Sequence, residues 1–328
     1  MTTIDIYSGF LGAGKTTLIK KMIQEAYCGQ KLVLIENEIG EIGIDGGFLQ
    51  EAGINITEMN SGCICCSLVG DFGKALTQVI EQYHPDRILI EPSGVGKLSD
   101  VIGAVNKVTN EEVTLGYTVA VVDAGKVKVY MKNFGEFYNN QVETASTIIL
   151  SRTDSIPQPK LDAAVALLRE HNEKATVVTT PWNELTGEQI LEAMAGKATL
   201  AAELAKLQEE HEHHHHHHEH DENCTCGCHD HDHHHHHADE VFTSWGVETA
   251  KKFDRKQVEL ALQQLDSGLY GMVLRAKGIL MAADGTWIHF DYVPEEYNVR
   301  VGSADITGKL CVIGSQLDEQ GLKQLFGV

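Results

Sequence analysis

The chain has 328 residues, which is long enough for two ordinary domains that each bury a core. Charged residues make up 22% and hydrophobic residues 42% of the chain, as is typical of a soluble globular protein. The net charge of −21, from 26 basic and 47 acidic residues, argues against nucleic acid or an anionic membrane as the main partner.

Targeting and membrane signals are weak throughout the sequence. No apolar segment approaches the ~20 residues that a membrane helix needs. The N-terminus leads directly into a predicted strand, without a basic region or a cleavage site. We therefore expect a cytosolic protein whose eight cysteines are thiols or metal ligands rather than disulfides.

The first motif is a phosphate-binding loop at residues 9–16, which fits G-x-x-x-x-G-K-[ST] at every fixed position. A strand is predicted before it at residues 3–7, and a helix after it at residues 17–26. In such a loop the backbone N–H groups close around phosphates, Lys15 lies along the β- and γ-phosphates, and the Thr16 hydroxyl coordinates Mg²⁺. The residues predicted to contact nucleotide here are Gly9, Gly12, Ala13, Gly14, Lys15, Thr16 and Thr17.

The second predicted strand, residues 31–35, is continuously apolar, as expected in a parallel sheet that is covered on both faces. It ends in an acidic, glycine-rich loop at residues 36–46. A P-loop protein can place a switch that senses the γ-phosphate at this position. An ordinary acidic surface loop is the alternative.

Three cysteines lie within four residues, at Cys63, Cys65 and Cys66, between a strand predicted at 55–59 and a helix predicted at 68–83. Thiolates favour Zn²⁺ and other soft or borderline metals over Mg²⁺ or Ca²⁺. The N–H groups at a helix N-terminus also lower the pKa of nearby thiols. We expect a metal site that the acidic loop helps to complete; buried inert cysteines and a redox pair are the alternatives.

Glu91 and Gly94 follow the next buried strand, which is predicted at residues 87–90. An acidic residue at the end of a strand beside a P-loop is where Mg²⁺ or its water is held. The N–H of Gly94, three positions further on, is then placed to meet the γ-phosphate. The pair therefore predicts a second part of the phosphate site.

Later strands are predicted at residues 117–122, 147–150 and 175–179. The middle one leads into Ser151-Arg152-Thr153-Asp154, where GTPases place Asn-Lys-x-Asp. In that motif the Asp accepts hydrogen bonds from guanine and the stem of the long cation covers the base. Asp154 is retained here, whereas Ser151 and Arg152 replace Asn and Lys. The motif predicts guanine selection; a helix start capped by Ser or Asp is the alternative.

Residues 187–210 are rich in Ala, Leu, Glu and Lys, which predicts a helix. Fifteen of the 18 histidines then fall between positions 211 and 237, together with three cysteines. A tract without aliphatic or aromatic residues cannot bury a core, so it is predicted to be a disordered linker. Imidazole, thiolate and carboxylate at this density bind Zn²⁺, Ni²⁺, Co²⁺ or Cu²⁺, either for specific delivery or for buffering.

A globular pattern returns at residue 240. Strands are predicted at 241–245, 272–278, 287–292 and 309–314, and helices at 255–265 and 317–326, which indicates a small α+β domain. The predicted organisation is a P-loop domain at 1–196, a helical then disordered metal-binding linker at 197–239, and a C-terminal domain at 240–328.

Together these motifs resemble the CobW-like family, metal-linked P-loop GTPases related to the nickel-insertion GTPases of hydrogenase and urease maturation. The resemblance rests on residues 9–17, the loop at 36–46, Cys63-Ile64-Cys65-Cys66, Glu91-Pro92-Ser93-Gly94 and the His-rich linker before a small domain. It implies an α/β fold: a P-loop NTPase with a mostly parallel sheet and helices on both faces, followed by an α+β domain.

The resemblance also implies GTP binding with Mg²⁺, hydrolysis, and Zn²⁺ or Co²⁺ that is passed to a client metalloprotein or to metal-insertion machinery. The implied metal ligands are Cys63, Cys65 and Cys66, with Glu36 and Glu41 as oxygen ligands. The residues that it assigns to phosphate, Mg²⁺ and catalysis are Lys15, Thr16, Thr17 and Glu91. No residue stands out as a water-positioning Gln, so we expect slow hydrolysis until a partner or metal completes the site. A homodimer is allowed.

Two classes of function compete. In a GTP-driven metallochaperone, the γ-phosphate orders the acidic loop, the loop helps to assemble the thiolate site, and hydrolysis weakens metal binding. In a cytosolic metal reservoir, the His-rich tract binds metal and nucleotide turnover is incidental. A third hypothesis is an ATP-using enzyme of the same fold.

Overall fold

The computed structural model describes residues 1–36, 55–58, 69–197 and 243–328. These residues belong to two compact units, Met1–Lys197 and Ala198–Val328. The acidic loop beyond Glu36, the C-x-C-C segment and the predicted linker lie outside the described residues, as does the predicted helix beyond Lys197. Within the described ranges, no helix has both the length and the apolar character required to cross a bilayer.

The first unit is built on a seven-stranded sheet in the order β3-β2-β4-β1-β5-β6-β7, with every neighbouring pair parallel. Its strands are β1 (Thr2–Gly9), β2 (Leu32–Glu36), β3 (Asn55–Glu58), β4 (Arg87–Glu91), β5 (Val113–Asp123), β6 (Thr147–Ser151) and β7 (Thr176–Val178). Because parallel strands end at the same edge of a sheet, the loops after β1, β2, β4 and β6 share one edge.

Seven helices of the described part of this unit accompany the sheet. They are α1 (Lys15–Glu25), α2 (Val69–Tyr83), α3 (Leu98–Asn106), α4 (Val127–Asn133), α5 (Gly135–Thr144), α6 (Gln158–His171) and α7 (Gly187–Met194). Helix α1 packs against α7, while α2 to α6 form a second contiguous group. The near-continuous burial of β1 and β6 shows that both faces of the sheet are covered. The predicted α/β class is confirmed.

Helix α7 begins where the sequence predicts but ends three residues before Lys197, the last described residue of this unit. A capping box formed by Thr186 and Gln189 fixes its first turn. The helix ends at Met194, and Gly196 adopts a left-handed backbone with φ of +69°. The prediction of one continuous helix over residues 187–210 was wrong, because Gly196 in a left-handed conformation ends the helix. The Ala- and Leu-rich composition of the segment does not indicate this end.

A buried polar network joins the central strands of the sheet. The Asp5 side chain on β1 is fully buried, and its Oδ2 lies 2.5 Å from Arg87 Nη1 on β4. Tyr27 Oη donates to Asp5 Oδ2 at 2.9 Å, and the Tyr117 N–H on β5 donates to Oδ1 at 2.9 Å. Burial raises the pKa of the Asp5 carboxyl, and the ion pair with Arg87 opposes that rise.

The second unit is an antiparallel five-stranded sheet in the order β11-β10-β9-β12-β8. Its elements are β8 (Thr243–Thr249), α8 (Arg255–Leu265), β9 (Met272–Met281), β10 (Trp287–Val293), β11 (Glu296–Gly302), β12 (Gly308–Ser315) and α9 (Glu319–Phe326). Its core combines strand residues such as Phe290 and Leu310 with Leu262 and Phe326 of the helices. The α+β class is confirmed. Strand β11 is not predicted because, as an edge strand, it is exposed along most of its length.

Candidate functional site

The predicted phosphate loop connects β1 to α1 at the carboxyl edge of the sheet. Gly14 is the N-cap of α1 with φ of +102°, a left-handed conformation that favours glycine. A Cβ atom on Gly9 would lie 2.3 Å from the carbonyl oxygen of Val121, so the loop passes directly against β5. Both positions therefore require glycine: Gly14 because of its left-handed backbone, and Gly9 because a side chain would clash with β5.

Phe10 anchors the phosphate loop in an aromatic cluster. Its ring centroid lies 4.6 Å from that of Tyr130 on α4, 4.9 Å from Phe134 and 5.9 Å from Tyr138 on α5. Only 5% of Phe10 is exposed. Aromatic pairs of this kind contribute more to stability than their buried area alone. The cluster therefore fixes the phosphate loop from within the protein.

Thr16 and Lys15 contact Glu91, the last residue of β4, at the edge of the sheet where β1 and β4 lie side by side. The Thr16 hydroxyl donates to the Glu91 carboxylate at 3.0 Å, and Lys15 Nζ lies 3.9 Å from Glu91 Oε1. Lys15 and Glu91 are both buried. A hydroxyl and a carboxylate are the hard oxygen donors that Mg²⁺ prefers, and the adjacent ammonium suits an anion. The donor set therefore fits a magnesium triphosphate.

Gly94 closes the cleft on the side of the loop after β4. A Cβ atom at this position would lie 2.8 Å from the backbone nitrogen of Leu11, so the two loops meet backbone to backbone. The cleft has a volume of about 690 Å³ and is lined by residues 11–12, 14–17 and 91–95 and by Arg152. A volume of this size suits a nucleotide-sized ligand.

Arg152 joins the predicted base motif to the phosphate loop. Its guanidinium lies 2.5 Å from Asp123 Oδ2 and donates to the carbonyl oxygen of Gly12 at 3.0 Å. Its backbone is left-handed, with φ of 55°, which is uncommon for a residue with a side chain. Ser151 is buried and donates to Val122 O at 3.4 Å, whereas Asp154 is exposed on the 3₁₀ turn Thr153–Ser155.

Trp182 also lies against the phosphate loop, and no motif in the sequence marks it. Its ring lies so close to Gly14 that a Cβ atom there would be 3.0 Å from the indole. It begins the 3₁₀ turn Trp182–Glu184, just after the Thr180-Pro181 pair that follows β7. In the sequence, Trp182 is indicated only by its position directly after the Thr180-Pro181 pair, which follows a predicted parallel strand.

The candidate metal ligands are only partly described. Glu36 is the last residue of β2, where it pairs in register with Glu91 of β4 and with Glu58 of β3. Adjacent strands are ~4.8 Å apart, so the Glu36 and Glu91 backbones are direct neighbours. The remaining candidates, Glu41, Cys63, Cys65 and Cys66, lie outside the described residues. Among the residues that are described, no group of three or more His, Cys, Asp or Glu could hold a metal ion.

Two family models match the chain. The model of the CobW/HypB/UreG nucleotide-binding domain matches residues 3–179, more than half of the chain. The model of the cobalamin synthesis protein cobW C-terminal domain matches residues 242–328.

Curated relatives share the first part of the chain. The zinc chaperone CobW of Sinorhizobium sp is 33% identical over 187 residues, which cover 48% of this chain and 52% of the relative. The zinc chaperone YeiR of Escherichia coli strain K12 is 30% identical over 155 residues, covering 47% of each. The chain thus spans about half the length of the curated relatives that it matches. The crystal structure of Zn(II)-bound YjiA GTPase from E. coli covers 99% of this chain and 98% of its own, with 21% identity and a TM-score of 0.40.

Proposed function

Because the chain belongs to the CobW/HypB/UreG family, we propose that it is a GTP-binding, slowly GTP-hydrolysing metallochaperone. In this proposal it binds Zn²⁺ or Co²⁺ at Cys63, Cys65 and Cys66 and delivers the metal to a client protein. The names of the relatives, which are zinc chaperones, favour Zn²⁺ as the cargo. The proposal that the chain binds nucleotide rests on one observation, the contact of Thr16 and Lys15 with Glu91 beside the phosphate loop.

In this function each residue of the cleft has a distinct role. Thr16 and Glu91 would hold Mg²⁺ or its water, and Lys15 would lie along the β- and γ-phosphates of a bound nucleotide. Bound Mg²⁺ supplies charge neutralisation at the phosphate oxygens. The backbone N–H groups of Gly12 and Gly14 would cradle the phosphates, whereas the Ala13 N–H donates to the Phe10 carbonyl at 3.2 Å and shapes the loop. Thr17 continues the first turn of α1, and the Gly94 N–H would meet the γ-phosphate.

Guanine recognition is assigned to the residues after β6. Asp154 is exposed, so its carboxylate is accessible to a guanine base. Arg152 donates to Gly12 O and pairs with Asp123, so its stem spans from the base side to the phosphate loop. Ser151 stabilises the end of β6 through its hydrogen bond to Val122 rather than through the base. In this arrangement Arg152 supplies the long cation that Lys supplies in the Asn-Lys-x-Asp motif.

The register of Glu36 and Glu91 supports coupling between metal and nucleotide. The two residues end neighbouring strands, so a change at the phosphate site is next to the start of the acidic loop. In our proposal the γ-phosphate favours one conformation of that loop, in which Glu36 and Glu41 complete the thiolate site. A ligand shifts such an equilibrium only by its differential affinity for the two states, so metal affinity must differ between GTP and GDP.

The alternative function is a metal reservoir based on the His-rich tract. Deletion of residues 211–237 distinguishes the two functions. We expect the deleted protein to retain one tight Zn²⁺ site and a GTP hydrolysis rate that responds to Zn²⁺, because Cys63, Cys65 and Cys66 lie outside the deleted tract. Competition with a chromophoric chelator measures the site, and steady-state phosphate release with and without Zn²⁺ measures the response.

The control for this deletion is a chain in which residues 211–237 are replaced by a Gly/Ser linker of equal length, which preserves the separation of the flanking segments. The reservoir would be favoured if both variants lost nearly all tight metal binding and if wild-type GTP turnover ignored Zn²⁺.

A further inference from the structure

One buried side chain contacts the loop after β4 from outside the cleft. Gln141 lies on α5 and is 1% exposed. Its Nε2 donates to the carbonyl oxygen of Gly94 at 3.1 Å and to that of Gly96 at 2.8 Å. Both hydrogens of one amide group are therefore used on two residues of the same loop. The sequence separation is more than forty residues, so only the fold brings them together.

The loop that Gln141 holds is the one that meets the phosphate loop. Gly94 packs so closely on Leu11 that a Cβ atom would lie 2.8 Å from the Leu11 nitrogen. The Gly96 N–H donates to the Ser93 carbonyl at 2.9 Å, which closes a turn around Gly94. This turn and the two hydrogen bonds from Gln141 together fix the backbone of the loop at residues 93–96.

Helix α5 also contacts the phosphate loop itself. Tyr138, one helical turn before Gln141, places its ring 5.9 Å from that of Phe10. Phe10 belongs to the loop at residues 9–16, and Gln141 bonds the loop at 94–96. One helix therefore supports both sides of the cleft, although none of its residues lines it.

The two hydrogen bonds from Gln141 are well suited to fixing the loop at residues 94–96 before nucleotide binds. A buried amide needs partners for its hydrogens, because a buried polar group without a hydrogen bond is costly. Here the two carbonyl groups satisfy the amide, and in return their peptide units cannot rotate freely. A donor that stabilises developing charge is most effective when it is fixed before the reaction.

We propose that Gln141 is a positioning residue for GTP hydrolysis, which fixes the Gly94 loop so that the Gly94 N–H faces the γ-phosphate. This inference rests on the proposed function. Gln141 does not itself line the cleft and contacts none of the candidate Mg²⁺ ligands; it reaches the cleft only through the carbonyl of Gly94, a lining residue, so its effect is transmitted through the loop. It should therefore act on states that contain a γ-phosphate and leave GDP binding unchanged.

The test compares Gln141→Met and Gln141→Glu with wild type in the full chain. Met keeps the length of the side chain without donors, and the Glu carboxylate would face two carbonyl oxygens. We expect kcat for GTP hydrolysis to fall roughly 10- to 100-fold, as two lost hydrogen bonds allow. The affinity for a non-hydrolysable GTP analogue should fall toward that for GDP, whereas GDP affinity stays within about twofold of wild type.

Asn140→Leu is the matched control on the same helix. The Asn140 side chain accepts from the Ser99 N–H at 3.2 Å and donates to the Ser99 hydroxyl at 3.0 Å, so its loss removes two hydrogen bonds elsewhere. We expect this variant to lower the melting temperature and to keep wild-type turnover. If Gln141→Met fails to fold, Gln141→Asn retains the amide on a shorter side chain and takes its place.

The possible outcomes separate the two proposals. If the Gln141 variants are folded and keep wild-type kcat and the wild-type preference for GTP analogue over GDP, Gln141 is only structural and the assignment is overturned. If wild type itself binds Mg²⁺-GTP without turning it over, the proposed function fails, and Gln141 loses its role with it.

Discussion

Glu91→Gln is expected to lower kcat for GTP hydrolysis by on the order of 10²-fold, the effect of removing one preorganised electrostatic group. The Glu91 carboxylate accepts from the Thr16 hydroxyl and lies 3.9 Å from the Lys15 ammonium. The amide of Gln keeps the shape but removes the negative charge, and its NH₂ group would face an ammonium. Mg²⁺ would therefore be held less tightly, and GTP would be positioned less well.

Steady-state phosphate release across a Mg²⁺ titration measures this change. Glu136→Gln is the control, because that carboxylate is exposed and pairs with Lys97 at the surface. It should leave kcat unchanged. A Glu91→Gln protein that is folded and hydrolyses GTP at the wild-type rate would remove Glu91 from the site.

Asp5→Ala is expected to destabilise the first unit by about 3–5 kcal/mol, the range for breaking a buried ion pair from one side. The substitution leaves the Arg87 guanidinium without its carboxylate, and it removes the acceptor from Tyr27 Oη and the Tyr117 N–H. For a unit of this size the melting temperature should fall by roughly 6–20 °C. Differential scanning calorimetry of the full chain measures the change for this unit.

Asp291→Ala is the comparison, because it breaks an exposed ion pair with Arg300 in the second unit. Exposed pairs contribute about 0–1 kcal/mol, so its effect should be small. Adding Arg87→Met to Asp5→Ala should recover part of the loss, since the second change removes the uncompensated charge. Equal effects of Asp5→Ala and Asp291→Ala would show that the network contributes no more than a surface pair.

The parts of the site that follow strands could be predicted from the sequence. A buried strand, a glycine-rich turn and Lys-Thr define the phosphate loop locally, and Glu91 and Gly94 are marked by their position after the next apolar strand. The roles proposed for them depend on their positions at the ends of parallel strands, which the local pattern predicts. The positions of these residues in the structure follow that expectation.

The contacts that hold the loops are long-range and were not predicted. Phe10 looks like an ordinary loop residue until α4 and α5 bring Tyr130 and Phe134 against it. Helices α3 to α6 were not predicted either. Gln141 contacts the loop at residues 94–96 from far along the chain, and no local pattern marks it. Trp182, which lies against Gly14, is marked only by its position shortly after β7.

Arg152 shows how a departure from a motif can be understood once the fold is known. At the level of sequence, Arg in place of Lys weakens the guanine motif. In the structure its guanidinium makes two contacts at once, one to Asp123 and one to Gly12 O. A guanidinium presents several donors in a fixed plane, whereas an ammonium is a single point of charge, so this dual contact suits Arg.

In the proposed switch, the bound nucleotide controls the affinity of the protein for metal. A competitive Zn²⁺ titration against a chromophoric chelator measures this most directly. It is run with Mg²⁺ and either GDP or a non-hydrolysable GTP analogue, on wild type and on Cys65→Ala/Cys66→Ala. We predict that the analogue tightens Zn²⁺ binding by wild type on the order of tenfold, a typical allosteric coupling, and that the double variant loses this site. Equal Zn²⁺ affinities with GDP and with the analogue would contradict the switch.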